Sequence, residues 1–153
     1  MSPLGQELIR DVPSVRADAP LGSGIATLVE SGLPALPVCD EDGKLVGVLG
    51  ERNVIMAVLP GYVGELSSAA FLSDVLDDVL ERRVESVNEP VSQFMTTEHV
   101  EVPANFSYAQ LAETFLHHRV AVIPVVEDGR VVGAVTRRDY VRALAEKLPR
   151  PDG

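Results

Sequence analysis

The sequence predicts an α/β protein. Two β-α-β-β-α units should pack with pseudo-twofold symmetry, each a small mixed three-stranded sheet with helices on one face. Three observations predict it. Residues 15–53 (VRADAPLGSGIATLVESGLPALPVCDEDGKLVGVLGERN) align with residues 100–139 (VEVPANFSYAQLAETFLHHRVAVIPVVEDGRVVGAVTRRD). Within each copy, short β-branched runs alternate with helical periodicity. Apolar residues make up 46% of the chain, yet aromatics are 5% and tryptophan is absent. A core of Val, Leu, Ile and Ala favours parallel strands covered by helices over an aromatic-rich sandwich.

Each copy opens with a short strand and a proline-containing turn, at residues 17–20 and 103–105. A helix follows; in the second copy Leu111, Phe115 and Leu116 recur at helical spacing, with Ala112 on the same side. Next comes an apolar strand around a proline, ALPV at 35–38 and VIPVV at 122–126. Proline lacks the N–H of a ladder bond, so Pro37 and Pro124 suggest an edge or a strand start. The turns DEDGK and EDGR place glycine where a positive φ is needed. The strands LVGVL and VVGAV then run into GERN and TRRD, each opening a last helix. A three-stranded sheet covered on one face cannot bury its own core, so the two copies must complete each other.

Between the copies, Pro60-Gly61 stops a helix. Phe71, Leu72, Val75, Leu76, Val79 and Leu80 then form an i, i+1, i+4, i+5 stripe that ends near Arg82-Arg83. That is an amphipathic helix over residues 65–83, covering its own chain or meeting a partner. The expected organisation is a first unit at 9–60, a connecting helix at 61–90, a second unit at 91–146 and a disordered tail at 147–153.

The 153 residues suit one compact domain or two halves sharing a core. A net charge of −10 argues against nucleic acid and against an anionic membrane surface. It leaves room for a locally basic pocket. Cys39 is the single cysteine, which excludes an internal disulfide; in LPVCD it reads as a small buried hydrophobe. The start MSPLGQELIR has neither a basic n-region nor an apolar signal core, and no apolar run reaches the roughly 18–20 residues of a membrane span. The expectation is a cytoplasmic protein.

The combination FMTTEHVEV, HRVAVIPVVEDGRVVGAVTRRDYV and SGLPALPVCDEDGKLVGVLGERNVI resembles a tandem pair of cystathionine-β-synthase (CBS) domains, from about Ile9 to Leu144. The connecting helix is longer than the usual link. The resemblance implies a regulatory module without catalytic activity. It implies an adenosyl ligand (AMP, ADP, ATP, S-adenosylmethionine or a dinucleotide) in a cleft between the units. It further implies a homodimeric disc and a separate protein effector, with no required cofactor. Thr96, His118 and Arg119 match positions that line such sites in the family.

The stretch GAVTRRD at 133–139 has two readings. Thr-x-x-Asp is a capping box, with Thr136 accepting from residue 139 and Asp139 reaching back to residue 136. The same groups suit a nucleotide. A helix N-terminus, the Thr136 hydroxyl, Arg137 and Arg138 suit phosphate. Asp139 accepts from ribose hydroxyls. Val100, Val120, Ala121, Ile123 and Ala134 wall a purine. In the first copy, GVLGERN replaces the hydroxyl by Gly50 and the acid by Asn53, and adds Glu51 where a phosphate would lie. One competent site per chain is therefore expected, with the first cleft empty or weak. The alternative is a ligand-free scaffold acting through protein contacts.

Other constellations carry less. His117 and His118 are neighbours on a helix and point about 100° apart, so they share no metal face. His99 is far from them in sequence, and no Cys/His spacing suits zinc. Asp74, Asp77 and Asp78 lack the looped ladder of a calcium site. No nucleophile elbow, dinucleotide fingerprint or Walker loop occurs. Gly22-Ser23-Gly24 reads as a turn and cap before a helix.

Overall fold

The computed structural model describes residues 7–58 and 84–149. The first unit runs β1 (Val15–Arg16), α1 (Leu21–Ser31), β2 (Ala35–Cys39), β3 (Leu45–Gly50) and α2 (Glu51–Val58). After 3₁₀ turns at Val84–Asn88 and Val91–Gln93, the second runs β4 (Val102–Pro103), α3 (Tyr108–His117), β5 (Val122–Glu127), β6 (Arg130–Thr136) and α4 (Arg137–Lys147). The β-α-β-β-α order thus occurs twice, as the repeat predicts. The expected helix over 65–83, the stop at Pro60-Gly61, and tail residues 150–153 lie outside the described residues.

The sheets have the orders β1-β2-β3 and β4-β5-β6, each with one parallel and one antiparallel pairing. The hairpin turns use Gly43 (φ +82°) and Gly129 (φ +80°), as their sequences predict. The turns also pair with each other: Leu45 N–H donates to the Gly129 carbonyl at 3.0 Å.

Both units are completed by a segment from the other. Arg10 exchanges backbone bonds with Ala134 of β6, at 2.8 and 3.0 Å, and Leu8 joins the second unit's core of Val102, Phe106, Leu111, Ile123 and Val135. Thr96 does the same with Val48 of β3, at 2.9 Å both ways, while Val91 joins the first core of Val15, Leu21, Leu36 and Leu49. The crossings require Gly47 and Gly133. A Cβ on Gly47 would lie 2.8 Å from the Thr96 carbonyl oxygen, and one on Gly133 would lie 2.7 Å from that of Arg10.

The crossings also account for the prolines, which are not at sheet edges. Pro37 and Pro124 lie in the central strands, opposite Val48 and Ala134. Those partners turn their N–H and C=O outward to Thr96 and Arg10. The proline pairs are therefore the non-hydrogen-bonded kind, in which a missing N–H removes nothing from the ladder.

Gly22-Ser23-Gly24 lies inside α1 and is not a turn before it. Pro20 caps the helix without a side-chain bond, and Leu21 N–H finds the Glu89 carbonyl at 2.7 Å. Gly24 is buried where a Cβ would meet Leu49 and Val91 at 3.0 Å, so its missing side chain lets α1 sit close on the core. α1 ends at Gly32, whose φ of +71° closes the helix in the left-handed conformation.

Candidate functional site

Two clefts lie between the units, one against each last-helix motif. The first, about 740 Å³, is bounded by residues 32–34 of the first unit, by Ala121, and by the start of α4 with Thr136, Arg137 and Arg138. Arg10 and Arg142 complete its rim. Four arginines therefore converge on one cleft of a chain whose net charge is −10.

Part of the expected capping box forms. Asp139 N–H donates to Thr136 Oγ1 at 3.0 Å, and Arg137 N–H donates to the Ala121 carbonyl at 2.8 Å. Two of the first three N–H groups of α4 are thus already used, so the guanidinium groups are the main anion-directed donors at this end of the cleft. The Thr136 hydroxyl accepts, so its own hydrogen is left to donate. Thr136 is buried, 5% exposed.

Asp139 does not reach back to residue 136. Arg10 Nη2 lies 3.0 Å from both of its carboxylate oxygens, and Arg142 Nη1 lies 3.3 Å from Oδ1. The carboxylate is 15% exposed and borders an adjoining hollow of about 520 Å³ with Tyr108 and Lys147. Tyr140 holds this corner. Its hydroxyl donates to the Tyr108 carbonyl at 2.6 Å, and its ring packs on Phe115 with centroids 5.5 Å apart. Burial pushes the Tyr140 phenol up from its ordinary range, and Tyr108 adds to the shift.

The second cleft, about 560 Å³, is built from Gly50, Glu51, Arg52 and Asn53 together with Thr96, Glu98, His99, Val100 and residues 118–122. Asn53 Oδ1 accepts from Gly50 N–H at 2.7 Å, restoring a cap that Gly50 lacks, and its Nδ2 donates to Thr96 Oγ1 at 3.1 Å. Glu51 N–H donates to the Pro34 carbonyl at 3.0 Å, as Arg137 does to Ala121. His99 is held by the Thr97 carbonyl at 3.1 Å and Glu101 at 3.2 Å.

The residues expected in one site are therefore divided. Thr136, Arg137 and Arg138 line the first cleft, with Asp139 beside it. Thr96, Val100, His118, Arg119 and Val120 line the second, and Ala121 touches both. Ile123 and Ala134 are fully buried in their strands and line neither cleft. The cause is the crossing: the segment carrying Thr96 leaves its own repeat for β3. Arg10, Arg142 and residues 32–34 were not anticipated. Extending the repeat upstream, LIRD at 8–11 against FMTT at 94–97, sets Arg10 in the place of Thr96.

Cys39 is buried, and burial raises its thiol above the ordinary range; a Ser14 hydrogen bond opposes this and Asp40 adds to it. Among the described residues, no group of three or more His, Cys, Asp or Glu could hold a metal ion, and no helix is long and apolar enough to cross a membrane.

A family model described as the CBS domain matches twice, at residues 5–60 and 91–146. The chain is 29% identical to the CBS domain of a CBS domain containing membrane protein from Sphaerobacter thermophilus, with a TM-score of 0.72 over 94% of this chain and 88% of that one. It is 23% identical to CBSX2 solved in complex with AMP, with a TM-score of 0.70 over 93% of this chain and 96% of that one. CBSX2 is a CBS-pair protein from Arabidopsis thaliana. Protein MJ1225 of Methanocaldococcus jannaschii is 21% identical over 142 residues, 93% of this chain but 42% of that protein.

Proposed function

The chain belongs to the CBS-domain family, and from that we infer that it is a regulatory module that binds an adenine nucleotide or adenosyl derivative and acts on a separate partner protein. The observation that carries this reading is the convergence of Arg10, Arg137, Arg138 and Arg142 on the Thr136 cleft of an acidic chain. Charge placed against the average of the surface focuses an anion there. Thr136 donates to a phosphate oxygen, Arg137 and Arg138 neutralise it, and Asp139 accepts from the ribose. The AMP held by CBSX2, a chain of the same fold, is a ligand of this class. The Asn53 cleft carries Glu51 and Glu98 beside Arg52 and Arg119, so it is the poorer phosphate site.

In this reading the ligand is sensed and not converted. Exposed Ile55 and Met56 on α2 and Val141 and Leu144 on α4 give the proposed homodimer an apolar surface. The same surface favours the second reading, a ligand-free scaffold. A cytoplasmic location is part of the proposal.

Calorimetric titration of AMP, ATP and S-adenosylmethionine separates the readings. Saturable binding near one per chain, weakened about tenfold or more in an Arg137→Ala/Arg138→Ala variant, is the expected result. Absence of heat with all three at millimolar concentration leaves the scaffold.

A further inference from the structure

The Arg10–Asp139 pair sits where a nucleotide would need both partners apart. Arg10 Nη2 lies 3.0 Å from each carboxylate oxygen, and Arg142 Nη1 lies 3.3 Å from one of them. A ribose at Asp139 must therefore displace or share these guanidinium groups. Both are on the rim of the arginine-lined cleft, so each has somewhere to go. The exchange is local. Arg10 is fixed to β6 through its backbone, at 2.8 and 3.0 Å to Ala134, and its side chain is 45% exposed. The side chain can swing while the segment stays in place.

The other cleft supplies the contrast. In the equivalent positions it holds Thr96 and Asn53, joined Oγ1 to Nδ2 at 3.1 Å. That pair is neutral and has no charge to release. Arg10 and Asp139 thus differ together from Thr96 and Asn53, and the charged pair borders a cleft with three further arginines, whereas the neutral pair faces Arg52 and Arg119 offset by Glu51 and Glu98.

We propose that Arg10 makes the Thr136 cleft selective for nucleoside di- and triphosphates over monophosphates and S-adenosylmethionine. A single phosphate is met by Thr136, Arg137 and Arg138, and Arg10 stays on Asp139, in competition with the ribose. A second and third phosphate draw Arg10 and Arg142 off the carboxylate, which frees Asp139 for the ribose hydroxyls. Phosphate charge and ribose binding are coupled through one side chain. S-Adenosylmethionine carries a sulfonium and an ammonium against a single carboxylate, so it offers these arginines less than a polyphosphate does. This inference rests on the nucleotide reading given above.

The test is calorimetry with ATP, ADP, AMP and S-adenosylmethionine at fixed ionic strength, on the wild-type chain and on Arg10→Thr, which copies the residue of the other cleft. Wild type is expected to bind ATP and ADP at least about tenfold tighter than AMP. S-Adenosylmethionine is expected to bind no tighter than AMP. In Arg10→Thr the ATP-to-AMP ratio should fall to within about threefold, through weaker ATP binding and unchanged or tighter AMP binding. Arg142→Gln, outside the crossing segment, should narrow the ratio in the same direction and guards against misfolding of the first variant. Equal wild-type affinities for ATP and AMP overturn the inference and leave the nucleotide module standing. So does a uniform loss of all ligands in Arg10→Thr, which makes Arg10 a clamp for its segment. No binding of any ligand to wild type overturns both.

Discussion

At Cys39 and Tyr140, burial shifts an acidic group in the same direction. Each is held above its ordinary range chiefly by desolvation, so the folded chain keeps the proton longer than the unfolded chain does. The linkage follows: stability is full below the unfolded values and declines as pH rises past them, where only the unfolded thiol and phenol ionise. Urea midpoints should therefore fall on the alkaline side as these groups titrate. Cys39, 5% exposed, should also resist a thiol reagent at neutral pH and react fully after denaturation. Rapid labelling of the native chain would contradict the buried placement. Asp40 has the opposite sign. Its Oδ1 accepts from Lys44 N–H at 3.0 Å and Asp42 N–H at 2.9 Å, and the Lys44 bond is the main cause of its lowered pKa. That contribution to the first hairpin is present at neutral pH and is lost as pH falls through the lowered value.

At the scale of elements, two glycines decide whether the crossings form. The Cβ positions at Gly47 and Gly133 meet backbone oxygens at 2.8 and 2.7 Å, and backbone cannot yield as a flexible side chain does. Alanine at either should destabilise the chain by about 1–3 kcal/mol, the range for overpacking. Gly50 is the comparison. Its Cβ would find only ordinary contacts, at 3.4 Å or more, so Gly50→Ala should stay within about 0.5 kcal/mol of wild type. Urea unfolding of the three variants checks the ranking. These elements also show how far the sequence could be read. Strand, helix and turn each leave a local signature, so the repeat revealed both units and their glycine turns. A crossing leaves none, because residues 8–10 and 94–96 pair with strands from the opposite repeat. The sequence alone therefore groups Thr96 with Asp139, whose actual partner is Arg10, and suggests an edge or a strand start for the prolines, although the crossings make central positions harmless.

For the whole molecule, the crossings bind the units into one cooperative structure. Leu8, 7% exposed, lies in the second core, and Val91, fully buried, lies in the first. Neither core is complete without a residue from beyond its own repeat. A chain ending at residue 60 lacks Val91, the Thr96 bonds to β3, and the Glu89 carbonyl that receives Leu21 N–H. It also exposes the face of its three-stranded sheet. Removing a fully buried valine side chain alone costs about 1.5–3 kcal/mol in transfer terms. Those unmade backbone bonds, together with the ones that Val91 and Ser92 N–H give to the Ala19 and Ala17 carbonyls, add to that in a unit whose sheet has a two-residue first strand. Against a total domain stability of about 5–15 kcal/mol, such a half should not fold alone. The intact chain should therefore unfold in a single transition, coincident by circular dichroism and by Tyr140 environment, while residues 1–60 and 84–153 expressed separately show no cooperative transition. Mixing the two halves should restore one, since the missing segments then arrive from the partner. Independent folding of either half would mean that the crossings follow the fold and do not create it.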